Sequence, residues 1–99
     1  GHWTIEGAQT SQFENHLRAV AGLPLGDTSA TGHSAMLNLI GRMPDRAKLL
    51  GERGLHLHDY GKAPREGRKL GHLTLVERTA AAADRRATTL LRRLDAGRI

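Results

Sequence analysis

There is no cysteine in the sequence, so a disulfide framework, thiolate metal ligation and a cysteine nucleophile are all excluded. That fits a reducing compartment, and a cytoplasmic location is expected. Aromatic residues are nearly as scarce, with one Phe, one Tyr and one Trp. The core must therefore be assembled from Leu, Ala, Val, Ile and Met. No apolar run is long enough to span a bilayer, and no signal-peptide pattern opens the chain. The patterns G-x-x-x-x-G-K-[ST] and G-x-S-x-G are also missing, which removes a Walker phosphate loop and a hydrolase nucleophile elbow. Acidic residues are outnumbered: 10 Asp and Glu against 15 Lys and Arg leave a formal charge of +5. Such a balance favours anionic partners, whether nucleic acid, phosphorylated metabolites or a membrane surface, without choosing among them.

The 99 residues suit one small domain of marginal stability. An indole, Trp3, stands almost at the start and is expected to be buried. That points either to a preceding polypeptide that has been cut away or to a cloning remnant, with equal weight. Ser11 and Glu14 form a capping box in which each side chain is expected to satisfy an amide of the other's turn. Phe13, Leu17 and Val20 follow at helical spacing and predict one buried stripe on a helix over 11–21, closed by Gly22 and Pro24. Residues 24–33 lack periodicity and read as a loop. Ala35 to Ile40 is a strand-length apolar run ending at Gly41, and Pro44 to Leu50 predicts one or two helical turns stopped by Gly51.

Leu55-His56-Leu57-His58 alternates, placing leucines on one strand face and histidines on the other. Leu70 to Val76 repeats the strand signal, so the two predict a hairpin with a long basic tip. Thr79 caps a last helix whose Ala83, Ala87, Leu90, Leu91 and Leu94 define one face, with Arg92 and Arg93 in its final turn and Gly97 as its stop. The expected class is α+β: an N-terminal helix, a small, mainly antiparallel sheet with a basic hairpin, and a C-terminal helix.

Chemistry concentrates between Tyr60 and Lys69. Lys62, Arg65, Arg68 and Lys69 share one connection with turn-permitting glycines and a stiffening Pro64. Phosphate recognition uses such parts: guanidinium forks, an ammonium point charge and free backbone amides. A solvated basic tip is the competing reading. His56 and His58 form an H-x-H pair to which His72 could add a third zinc ligand, but no carboxylate or thiol cluster completes the set. They are read instead as a polar outer face. Ser11, His16 and Asp27 supply the residue types of a hydrolytic triad, yet Ser11 is better explained as a cap. Asn38, inside an apolar strand, is expected to satisfy a neighbouring backbone group or face water.

Three segments together carry a resemblance. Gly1-His2-Trp3-Thr4-Ile5-Glu6-Gly7-Ala8 leads into Thr10-Ser11-Gln12-Phe13-Glu14-Asn15-His16-Leu17-Arg18-Ala19 and Gly22-Leu23-Pro24-Leu25. Met36-Leu37-Asn38-Leu39-Ile40-Gly41 fits an M-x-N-L-x-G strand, and His58 to His72 fits H-x-Y-x-K-x-x-R-x-G-R-K-x-G-H. The chain thereby resembles the C-terminal part of the ATP-grasp family of 5-(carboxyamino)imidazole ribonucleotide synthases, the ATPase subunit of phosphoribosylaminoimidazole carboxylase. The resemblance covers most of 1–77. It implies residues 1–25 as the tail of the ATP-grasp catalytic domain and 26–99 as the C-terminal domain. It also implies a ligase that joins bicarbonate to the amine of aminoimidazole ribonucleotide, with carboxyphosphate as intermediate, working as a homodimer without nucleic acid or membrane. ATP and Mg²⁺ would be held by residues upstream of this segment, leaving the chain inactive alone. Lys62 and Arg68 become the leading substrate-phosphate ligands, with Arg65 and Lys69 in support and His2 beside the intermediate pocket over a packed Trp3. Glu66 stands where the family more usually has proline. The reading from a different class is a small basic nucleic-acid-binding module, which lacks the surface aromatic platform that single-strand binders use.

Overall fold

The computed structural model describes residues 1–99. Its centre is β3 (Lys69–Glu77), flanked by β1 (His33–Ile40) and β2 (Leu55–Asp59), with both pairings antiparallel. A strand covered on both faces must be apolar almost throughout, and Leu70 to Leu75 is buried without a break. The register aligns Leu37, Leu73 and Leu57 in one cross-strand row and Ala35, Leu75 and Leu55 in another. These rows face the helix α4 (Ala80–Asp95), which contributes Ala83 and Leu90 to the core. Leu49, from the short helix α3 (Arg46–Leu50), and Ile99 complete that layer. Because side chains alternate along strands, the opposite face carries the rows Asn38, His72, His58 and Met36, Thr74, His56.

That second face is covered along its central strand, where His72 and Thr74 are buried, while Met36, Asn38 and His56 are exposed. A four-residue helix, α1 (Thr4–Gly7), packs on β3. It is held by an isolated bridge between Ala8 and Ala30 and by Thr31 N–H donating to the Gly7 carbonyl at 2.8 Å. No capping or periodicity signal announced an element so short. It adds one helix to the expected order of helix, strand, short helix, strand, strand, helix.

The next helix, α2 (Gln12–Val20), begins as expected, with Ser11 Oγ accepting from Glu14 N–H at 3.0 Å. The reciprocal half of the capping box is not formed, because the Glu14 carboxylate pairs with Arg18 at 2.6 Å. The buried stripe is corrected as well: Phe13, Leu17 and Val20 are 42%, 68% and 75% exposed. One face of the sheet is taken by α4 and the other by α1, so α2 buries no residue. Trp3 is likewise exposed rather than buried, and so is Leu91, which leaves α4 a narrower apolar stripe than its sequence suggests. The helix α3 starts two residues later than expected. Asp45 is its cap, accepting from Ala47 N–H at 2.9 Å, and Pro44 stands before it.

Candidate functional site

The hairpin between β2 and β3 closes where Tyr60 N–H donates to the Leu70 carbonyl at 2.9 Å. Asp59 then turns the chain. Its Oδ1 accepts from Gly61 N–H at 2.9 Å, and its Oδ2 lies 2.6 Å from the Arg46 guanidinium. Both hold the Asp59 carboxyl below its ordinary value, the Gly61 amide most strongly. Gly61 itself sits at φ 70°, a left-handed conformation that residues with a Cβ adopt at a cost. The turn places Lys62 Nζ 5.5 Å from the centroid of the Tyr60 ring, within cation–π range.

Tyr60 reaches inward, its hydroxyl 2.8 Å from Nδ1 of His72. His72 is only 1% exposed and stacks on His58, with centroids 4.5 Å apart and planes at 16°. His2 meets His72 edge-on at 5.2 Å and Phe13 at the same distance. Glu6 of α1 pairs with Nε2 of His58. The result is a shallow cleft of about 550 Å³ whose walls include His2, Phe13, His58, Tyr60 and His72. Under α1, Glu6 Oε2, Ser34 Oγ, His72 Nε2 and Thr74 Oγ1 are buried without a partner in the chain.

Of the residues expected at a site, His2 and Lys62 meet around Tyr60, whose ring lies 6.4 Å from that of His2. Arg68 is half-buried, donating from its guanidinium to the Ala63 carbonyl at 3.2 Å and from its amide to the Arg65 carbonyl at 3.0 Å. Arg65 and Lys69 are exposed, Lys69 opposite Ile40 at the entrance to β3. None of these four cations has a carboxylate partner, whereas Arg18, Arg46, Arg86 and Arg93 are each ion-paired. Trp3 does not underlie His2. It packs over Gly7 and lines a groove with Met36, Ala83 and Ala87.

The histidines also need correction as a polar outer face. His56 is exposed, but α1 covers His72 and half-buries His58. The cluster of Glu6, His58, Tyr60 and His72 escaped sequence reasoning. The one available signal was the register of a long hairpin, which sets His58 opposite His72. Nothing pointed to Glu6.

Burial, with smaller contributions from charge on His58 and His2, lowers the pKa of His72, against an opposing pull from Glu6. Between the lowered value and the ordinary 6.5, the unfolded chain holds a proton at this residue that the folded chain does not. The contribution of neutral His72 to stability is therefore complete above about pH 6.5 and declines as pH falls through that window. An NMR titration of the His72 ring is expected to give a midpoint below that of a free imidazole, with urea stability falling in parallel on acidification. A midpoint at or above the free value would contradict this assignment.

Residues 34–86 match the phosphoribosylaminoimidazole carboxylase C-terminal domain. The chain is 65% identical over 75 residues to N5-carboxyaminoimidazole ribonucleotide synthase of Pseudomonas aeruginosa, covering 76% of this chain and 21% of the relative. It superposes on the crystal structure of N5-carboxyaminoimidazole ribonucleotide synthetase from Thermus thermophilus with a TM-score of 0.87 and 60% identity, covering 93% of this chain and 26% of that one. The corresponding enzyme of Aspergillus clavatus, in complex with ADP and 5-aminoimidazole ribonucleotide, gives a TM-score of 0.85 at 36% identity, over 96% of this chain and 28% of the other. The chain thus spans about a quarter of the length of the proteins it matches.

Proposed function

Because the chain belongs to the phosphoribosylaminoimidazole carboxylase C-terminal domain family, we propose that it forms the ribonucleotide-gripping end of an ATP-dependent ligase that carboxylates 5-aminoimidazole ribonucleotide with bicarbonate in purine synthesis. One observation carries the reading. Lys62, Arg65, Arg68 and Lys69 share one connection between β2 and β3, and none of them is ion-paired, although Glu66 lies among them in sequence. A phosphate dianion would accept charge-assisted hydrogen bonds from such unpaired side chains. His2, at the edge of the cleft beside Tyr60, would border the reacting end of the substrate.

Residues 1–25 would be the tail of the catalytic ATP-grasp domain. The exposed side chains of Ile5, Phe13, Leu17, Val20 and Leu23 support this, since an apolar surface of that kind calls for a covering layer. ATP and Mg²⁺ are expected of the intact ligase, and this segment does not form a site for Mg²⁺. Five of the ten carboxylates, Glu6, Glu14, Glu52, Asp59 and Glu77, are committed to ion pairs, and no group of three or more acidic, histidine or cysteine side chains converges on a metal site. Their binding would fall to the remainder of the ligase, and what this chain contributes is grip and orientation.

The test is ADP release. The intact ligase is expected to release ADP only when ATP, bicarbonate and the ribonucleotide are all supplied, and the 99-residue chain is expected to release none. Turnover by the chain alone, or ADP release indifferent to the ribonucleotide, would refute the proposal.

A further inference from the structure

We infer that Tyr60 is a positioning residue, which holds the Lys62 ammonium at the mouth of the histidine cleft through a hydrogen bond to buried His72. The inference rests on the phosphate role of the 60–69 connection but adds a residue that the charge pattern did not indicate. A lysine after a left-handed glycine at the open end of a hairpin would ordinarily sweep a wide volume, because its four-carbon stem is flexible. Here three constraints converge on it. The Gly61 amide is tied to Asp59, and Asp59 is itself pinned by Arg46. The Tyr60 amide is tied to Leu70. The ammonium then lies over the face of a ring that cannot swing, since its hydroxyl ends on the most enclosed part of the sheet.

His72 suits this anchoring role. It projects from the central strand, it stacks on His58, and α1 covers it, so its own position is fixed from three sides. The Tyr60 hydroxyl and Nδ1 of His72 share a hydrogen bond, with the hydroxyl able to serve as donor or acceptor according to the imidazole tautomer. The chain of contacts runs from a buried histidine to a phenol, and from its ring face to an ammonium. Fixing the cation before the ligand arrives removes part of the ordering cost of binding. Arg65 and Lys69 have no such support, since both are exposed and neither contacts an aromatic ring.

A double-mutant cycle on the intact ligase tests it. Tyr60→Phe keeps the ring and loses the anchor, so KM for the ribonucleotide is expected to rise about fivefold with kcat unchanged. Lys62→Ala is expected to raise KM about 30-fold in the parent and only about sixfold in the Tyr60→Phe background, because the lysine is then already loose. Multiplying effects, or an unchanged KM for Tyr60→Phe, would overturn the positioning role while leaving the phosphate reading intact. A silent Lys62→Ala in the parent would overturn the phosphate reading itself.

Discussion

Replacing Lys62 by Ala in the intact ligase is expected to raise KM for the ribonucleotide about 30-fold and to leave kcat within a factor of two. The magnitude follows from one charge-assisted hydrogen bond, which contributes about 2 kcal/mol when its partner is a dianion, and each 1.4 kcal/mol is a factor of ten. The split between KM and kcat follows from chemistry. A 5′-phosphate is the same in the ground state and in the transition state for carboxylation of the distant amine, so its grip is uniform binding. Lys62 is exposed and has no carboxylate partner, so its removal leaves no buried charge stranded and gives up only the contact with the Tyr60 ring. Lys62→Arg keeps the charge but replaces a point donor with a planar fork, and should restore the affinity only in part. Added salt should weaken binding of the parent more than that of Lys62→Ala. A KM for Lys62→Ala within twofold of the parent would remove the lysine from the phosphate site.

Gly71→Ala is expected to cause the largest loss of stability, about 3 kcal/mol. Gly71 is buried on β3, between Leu39 of β1 and Asp59 of β2. A Cβ there would run into the His58 carbonyl oxygen and lie 3.3 Å from the Asp59 Cα. Both are backbone atoms of β2, so no side-chain rotation can make room. The strand itself would have to move, breaking the ladder that aligns His58 with His72 and the contact from Tyr60 to Leu70. A domain of this size is stable by only about 5–15 kcal/mol, so the loss is a large part of the whole. Urea unfolding of the 99-residue chain should show the midpoint falling by about 2 M. A midpoint within about 0.3 M of the parent would show that the sheet yields at this point.

Much of the fold could be read locally. The alternation at Leu55–His58 and the apolar run at Leu70–Val76 located β2 and β3, and the resulting hairpin is observed. Thr79 caps α4, accepting from Ala82 N–H at 3.1 Å, and Gly97 follows its end at φ 69°. These signals are legible because they rest on neighbours within one or two turns of chain. The cationic connection was legible for the same reason, since its charges are contiguous in sequence.

The cleft was not. His2, Glu6, Phe13, His58, Tyr60 and His72 come from three separate stretches, and only strand register and the docking of α1 bring them together. Burial went astray in the same way. The spacing of Phe13, Leu17 and Val20 correctly marks an apolar stripe, yet the stripe lies uncovered, while His72, of a type only intermediate in its tendency to be buried, is sealed beneath a helix too short to leave a pattern. The order of amino acids therefore determined which segments curl, which extend and where positive charge gathers. Which faces are sheltered, and which side chains touch, was decided in three dimensions. Periodicity follows from backbone geometry over a few residues, whereas shelter depends on what remote chain arrives to exclude water.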